Sequence, residues 1–229
     1  MNLDEAVRLT EILLGLAFAQ QSIEHFRSFT NERLIFIPRL ILSLLLIAGI
    51  QTAWLSGLIL LNGLAMLQRF QGPYNGGSDR MGLLITTCLC LTHITATPYW
   101  REVAFGYLAL QLLLSYFISG WVKIINTDWR SGRALCDVFE FSAYPVSQSL
   151  RHWADSPRLL FMMAWWVMLI ELLFPLSLIS SSSLGIMLML TAGFHFANAC
   201  LFGLNRFFWI WLSAYPSIVW FQQRIFATL

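Results

Sequence analysis

Apolar stretches of roughly membrane-spanning length follow one another along this chain, with only short polar breaks between most of them. About 20 apolar residues wound as a helix cross the hydrocarbon core of a bilayer. A soluble domain carries about 25% charged residues, whereas only 11% are charged here and 58% are hydrophobic. The expected fold is therefore all-α: a polytopic transmembrane helical bundle of seven or eight helices with a long amphipathic interfacial loop. Ten Trp and 18 Phe suit such a protein, since aromatic rings anchor helices at membrane interfaces. The net charge of +2 and the lack of a basic run argue against nucleic acid as a partner. The N-terminal MNLDEAVRL has acids ahead of its apolar run and no basic region, so no cleavable signal is read there.

Helices are expected over residues 3–26, 34–50, 53–69, 80–97, 102–123, 158–179, 184–203 and 205–221, the last made doubtful by Pro216. Gln20, Gln21, Glu24 and His25 make the first amphipathic. Arg39, just after Pro38, is expected to snorkel to the interface. Asn62 should bond a neighbouring helix, and His93 reads as a hydrogen-bonded structural histidine. The run from Arg69 to Arg80 is a loop by its Gly, Pro and Asn content, with Ser78 or Asp79 placed to cap the fourth helix. Asp79 serves equally as a cap or as a site group. The four cysteines, Cys88, Cys90, Cys136 and Cys200, show no CxxC spacing and read as packed thiols, with no metal site implied. Residues 1–229 read as one membrane domain, in which residues 124–157 form the interfacial loop of two or three short amphipathic helices.

Ionisable groups within the spans attract a functional reading, because burying charge in lipid is unfavourable. Lys123, the chain's one lysine among 14 basic residues, stands where the fifth helix meets the long loop. Tyr116, Gly120 and Lys123 share a helix face at i, i+4, i+7 spacing. In the loop, Trp129 and Arg130 precede Arg133, which is four residues from Asp137 and can pair with it. Glu171 lies in mid-span, and Pro175 four residues later removes the hydrogen bond to its carbonyl, so a kink is expected there. His195 and Asn198 lie in the seventh helix. Arginines concentrate after the odd-numbered helices, which by the positive-inside rule would make those loops cytoplasmic.

Several stretches together resemble the HTTM domain, the membrane domain related to vitamin K-dependent gamma-carboxylase. They are Arg69 with Gly76-Gly77-Ser78-Asp79, Tyr116-Phe-Ile-Ser-Gly120-Trp-Val-Lys123, Trp129-Arg130-Ser-Gly132-Arg-Ala-Leu135, Glu171-Leu-Leu-Phe-Pro175 and Gly193-Phe-His195. In the carboxylase a lysine at the same distance from the glycine is the catalytic base on reduced vitamin K, so the resemblance implies that role for Lys123. Here the stretch between lysine and tryptophan is one residue longer, and the carboxylase's loop histidine has no counterpart in Gly72–Asp79. The carboxylase's large propeptide-binding region has none either, which argues against a large protein substrate. In the carboxylase the site faces away from the cytoplasm, opposite to the side that the arginines indicate, and the side is left open.

Two functions are weighed. The first is a quinone- or lipid-using membrane enzyme of peptide or small-molecule modification, with Lys123, Glu171 and His195 as catalytic candidates. Asp79, Tyr116, Trp129, Arg130 and Arg133 would then bind ligand, and a quinone is the candidate cofactor. The second is a non-catalytic small subunit of a larger membrane complex, in which Glu171 pairs with an arginine across the bundle. The expected partners are the lipid bilayer and either other membrane subunits or a peptide substrate, and the expected location is the cell inner membrane, multi-pass. A transporter lacks the inverted repeat with paired broken helices.

Overall fold

The structure is a computed structural model that describes residues 1–28, 33–69, 76–141 and 147–226. The described residues form helices and turns, without strands. In chain order the helices are α1 (Leu3–Ser28), α2 (Arg33–Ala48), α3 (Thr52–Arg69), α4 (Gly76–Ile94), α5 (Pro98–Ile125), α6 (Thr127–Arg130) and α7 (Arg133–Phe141). After a 3-10 segment at Gln148–Asp155 come α8 (Pro157–Leu173), a second 3-10 segment at Phe174–Ile179, α9 (Ser181–Phe202) and α10 (Asn205–Phe226). Three of these are long and apolar enough to cross a membrane: α5, α8 with its 3-10 continuation, and α9. The chain divides into two compact units, Met1–Leu110 with Trp209–Leu229, and Gln111–Phe208.

In the first unit, α1 opens with a reciprocal cap. The Glu5 amide donates to the Asn2 side chain at 2.8 Å, and the Asn2 amide donates to the Glu5 carboxylate at 3.0 Å. This satisfies two helix-terminal donors. The α2–α3 turn is tight because Gly49 takes φ +79 and ends α2, the left-handed cap that glycine favours. Arg8 of α1 closes the turn, donating to the carbonyl of Leu46 at 2.8 Å and to that of Ile47. A Cβ on Gly49 would meet the Arg8 guanidinium at 3.2 Å. Gly49→Ala is therefore expected to destabilise the protein by roughly 1–2 kcal/mol, read as a lower unfolding temperature in detergent.

Polar side chains tie these helices together. Buried Glu11 of α1 accepts from Arg8 at 3.0 Å and is bonded to His93 of α4 at 2.6 Å, so the histidine's structural partner is an acid. Arg39 differs from expectation. It is 3% exposed, its guanidinium lies 3.8 Å from the Phe18 ring centre, and it donates to Asn62 at 3.1 Å. Asn62 in turn donates to the Ile35 carbonyl at 3.1 Å. Arg39 does not snorkel because Phe18 of α1 and Asn62 of α3 offer it an aromatic ring and an amide. The α4 helix begins at Gly76, so Ser78 and Asp79 lie within its first turn rather than ahead of it as caps. An acid there still complements the helix dipole. Residues 70–75 of the preceding loop lie outside the described residues. Pro216 sits inside α10, which continues through it to Phe226.

Candidate functional site

The second unit holds most of the residues singled out above. The C-terminal turns of α5 present Tyr116, Gly120 and Lys123 along one face. Opposite Gly120 runs the end of α8. A Cβ on Gly120 would fall 2.6 Å from the Leu172 amide nitrogen and 3.0 Å from the Glu171 carbonyl carbon. Only a hydrogen fits, and its absence of bulk lets the two backbones touch. One turn further along α5, Lys123 Nζ donates to both carboxylate oxygens of Glu171, at 2.7 and 2.5 Å. The Glu171 side chain is 5% exposed and that of Lys123 19%. Glu171 therefore pairs with Lys123 and not with an arginine. The Trp129 ring centre lies 5.3 Å from the same ammonium, within range of a cation–π contact.

One turn back from Gly120, buried Tyr116 stacks on Phe174, with ring centres 4.2 Å apart and an interplanar angle of 27°. Its hydroxyl is hydrogen-bonded to His195 Nε2 at 2.9 Å. The expected kink at Pro175 takes a definite form: the α-helix stops at Leu173 and the chain continues as the 3-10 turn that carries Phe174. The close α5–α8 contact thus separates an ion pair on one side from a tyrosine–histidine pair on the other. Ser180 starts α9 with a capping box, its hydroxyl accepting from the Ser183 amide while Ser183 accepts from the Ser180 amide.

The long loop folds onto α8. Asn126 caps α6 by accepting from the Asp128 amide at 2.8 Å. Gly132 takes φ +81, and a Cβ there would lie 2.8 Å from Phe161 Cα. The turn after Trp129 therefore rests against the α8 backbone. Trp165 Nε1 donates to the Arg130 carbonyl at 3.1 Å and fixes it there. Phe139 of α7 packs with Leu160 and Phe202, and Trp153 of the 3-10 segment covers it. The short helices expected between 124 and 157 are thus seated on α8 and α9, while residues 142–146 lie outside the described residues.

Lys123, Glu171 and Trp129 come together, as do Tyr116 and His195. Arg130 contributes its main chain to the Trp165 bond, and its guanidinium donates to the Ile124 carbonyl at 3.4 Å. Arg133 is exposed and lies 3.8 Å from Asp137, the pair expected from their spacing, which contributes little in solvent. Asp79 belongs to the first unit, where it accepts from Gln21 at 3.0 Å. The residues not singled out as partners were Phe174 and Trp165. An indole N–H in an apolar helix needs an acceptor, and that signal could have found Trp165. All four cysteines are free thiols, Cys88 buried and Cys200 exposed. The exposure of Cys200 corrects its reading as a packed thiol. Burial, then the neighbouring charges of Asp137 and Glu140, push the Cys136 thiol up from its usual range.

Against known proteins, the HTTM domain family matches residues 91–223. Neither a curated protein nor a solved structure matches the chain.

Proposed function

This chain belongs to the HTTM domain family, and from that premise we propose that it is an integral membrane enzyme in which Lys123 is a general base. The observation that carries the reading is the pairing of Lys123 with both oxygens of Glu171 in a water-poor place. A lone ammonium there would be a large electrostatic burden, whereas a lysine beside a carboxylate has somewhere to send its proton. Glu171 takes that proton, and the freed amine of Lys123 then removes one from the substrate. General bases positioned in this way contribute about 10²–10⁴-fold in rate.

The substrate class that suits these groups is a quinol or a lipid-like molecule with one acidic hydroxyl. Trp129 and Phe174 offer ring faces, and the Tyr116–His195 pair offers a hydrogen-bonding partner that also orients His195. A quinone in its reduced form supplies the acidic hydroxyl; the freed amine of Lys123 takes its proton, the ammonium so formed balances the quinol anion while Glu171 keeps the first proton, and Trp129 with Arg130 keeps the loop seated over the ammonium. In keeping with the family, the product belongs to peptide or small-molecule modification. Seven or eight helices cross the membrane in this reading: α1 to α5, α8 and α9, with α10 as the eighth. Supporting this, α2 and α3 expose Leu34, Trp54 and Leu61 while keeping Arg39 inside. The whole chain then forms one multi-pass inner-membrane domain, with residues 124–157 as its interfacial loop. Arg133 would serve at the margin of ligand binding.

A second reading is favoured by the same pair: Lys123 and Glu171 satisfy each other fully, as they would in a non-catalytic subunit of a membrane complex. Lys123→Arg separates the two. Arginine keeps the charge and can still pair with Glu171, but it does not give up its proton in a protein. The assay is oxygen-dependent oxidation of a short-chain ubiquinol by the purified full chain. The expected result is a rate lowered about 10²-fold or more with an unchanged unfolding temperature. A Lys123→Arg protein as active as the wild type, or a wild-type rate no higher than that of empty micelles, would sink the enzyme reading.

A further inference from the structure

The first unit encloses a polar place of its own beside the first turns of α4. Asp79, Leu83 and Thr86 recur at i, i+4, i+7 and so fall on one face of that helix. With Phe18 of α1, Arg39 of α2 and Met66 of α3 they line a small cavity. The space open to the centre of a water molecule is about 10 Å³. One water needs about 10–15 Å³ by that measure, so the cavity has room for one and for nothing larger.

One polar atom in this lining is left over. Asp79 Oδ1 accepts from buried Gln21 at 3.0 Å. Asp79 Oδ2 is shut off from solvent and has no hydrogen-bond partner among the described residues. Thr86 does not serve it, because the Thr86 hydroxyl donates to the Gly82 carbonyl at 2.7 Å. A buried carboxylate oxygen without a donor is unfavourable, and folded proteins leave few buried polar atoms in that condition. The occupant must therefore bring a hydrogen to Oδ2. A metal cation does not suit the place: the positive charge of Arg39 lines the same space, and the lining offers far fewer oxygens than the six to eight that a calcium ion takes. An anion would be repelled by Asp79.

We propose that this cavity is a binding site for a single water molecule that donates a hydrogen bond to Asp79 Oδ2. The Thr86 hydroxyl oxygen and the Met66 sulfur are further acceptors in the lining. Arg39 contributes its charge, which favours the oxygen of the water on its side; no particular N–H of Arg39 is required. The water completes the shell of a carboxylate that α1, α3 and α4 enclose. This site is independent of the role proposed for Lys123.

Pulsed X-ray radiolysis of the purified full chain in detergent tests the assignment. Hydroxyl radicals formed from a bound water oxidise a methionine sulfur beside it, and Met66 lines the cavity while only 9% exposed. Met162, 61% exposed, is the reference. The pulse is given at increasing times after dilution into water labelled with heavy oxygen. Met66 is expected to be oxidised, with its sulfoxide acquiring heavy oxygen about tenfold more slowly than that of Met162, because an enclosed, hydrogen-bonded water is costly to remove. Asp79→Leu removes the acceptor and fills the space, and should lower the Met66 yield about fivefold or more with Met162 unchanged. The wild-type readout stands even where Asp79→Leu folds poorly. The proposal is overturned if wild-type Met66 is not oxidised, if its heavy-oxygen uptake is as fast as that of Met162, or if a well-folded Asp79→Leu protein keeps the wild-type yield.

Discussion

Glu171→Ala is expected to lower the stability of the protein by about 3–5 kcal/mol, the usual effect of removing one member of a buried ion pair. The reason lies less in the attraction lost than in the charge left behind. The Lys123 side chain would lose its carboxylate partner and be left with the Trp129 ring, whose centre lies 5.3 Å from its nitrogen. A cation–π contact contributes about 0.5–2 kcal/mol, too little to offset the desolvation. Glu171→Gln should fall between, since its amide oxygen still accepts one hydrogen bond; an effect of about 1–3 kcal/mol is expected. Replacing both partners, as Lys123→Met with Glu171→Leu, should restore most of the stability, because two well-packed apolar side chains need no partner. Equilibrium unfolding in mixed micelles measures all three. If Glu171→Ala unfolds within about 1 kcal/mol of the wild type, the ammonium has found water or another acceptor and the pair is not desolvated.

This expectation also marks what the sequence could and could not reveal. That Lys123 and Glu171 were unusual was legible, because charged residues stand out in apolar runs. That they meet was not, since 48 positions separate them and Glu171 was equally compatible with an arginine partner. The i, i+4, i+7 face of Tyr116, Gly120 and Lys123 followed from helical period, and the whole face is used. The break at Pro175 was legible from its missing N–H, but its outcome as a 3-10 turn presenting Phe174 depends on packing. Arg39 illustrates the opposite case. Snorkelling is the default for an arginine near a helix end, and a ring and an amide on other helices overrode it. The short amphipathic helices after Lys123 were visible in composition, but their docking on α8 rests on Gly132 and Trp165, whose roles depend on where another helix passes.

Gly120→Leu is expected to abolish folding of the second unit, and Gly120→Ala to weaken it by about 1–3 kcal/mol or more. A Cβ at this position meets the Leu172 amide nitrogen at 2.6 Å, closer than any real contact allows, and the obstacle is backbone. A flexible side chain could swing aside, but a helix must move as a body. Pushing α5 from α8 would draw Lys123 Nζ away from Glu171 on one side of the contact and Tyr116 away from Phe174 on the other. One substitution thus disturbs both polar pairs without touching either. Gly193 provides the control. It sits in the same unit, two residues before His195, yet a Cβ there has nothing within 4 Å. Gly193→Ala should therefore be neutral or stabilise α9 by about 0.5–1 kcal/mol through the better helix propensity of alanine. Size-exclusion profiles and unfolding temperatures of the two alanine variants give the comparison directly. Equal stability of Gly120→Ala and Gly193→Ala would mean that α5 and α8 are not in backbone contact, and the account of how Lys123 reaches Glu171 would fall with it.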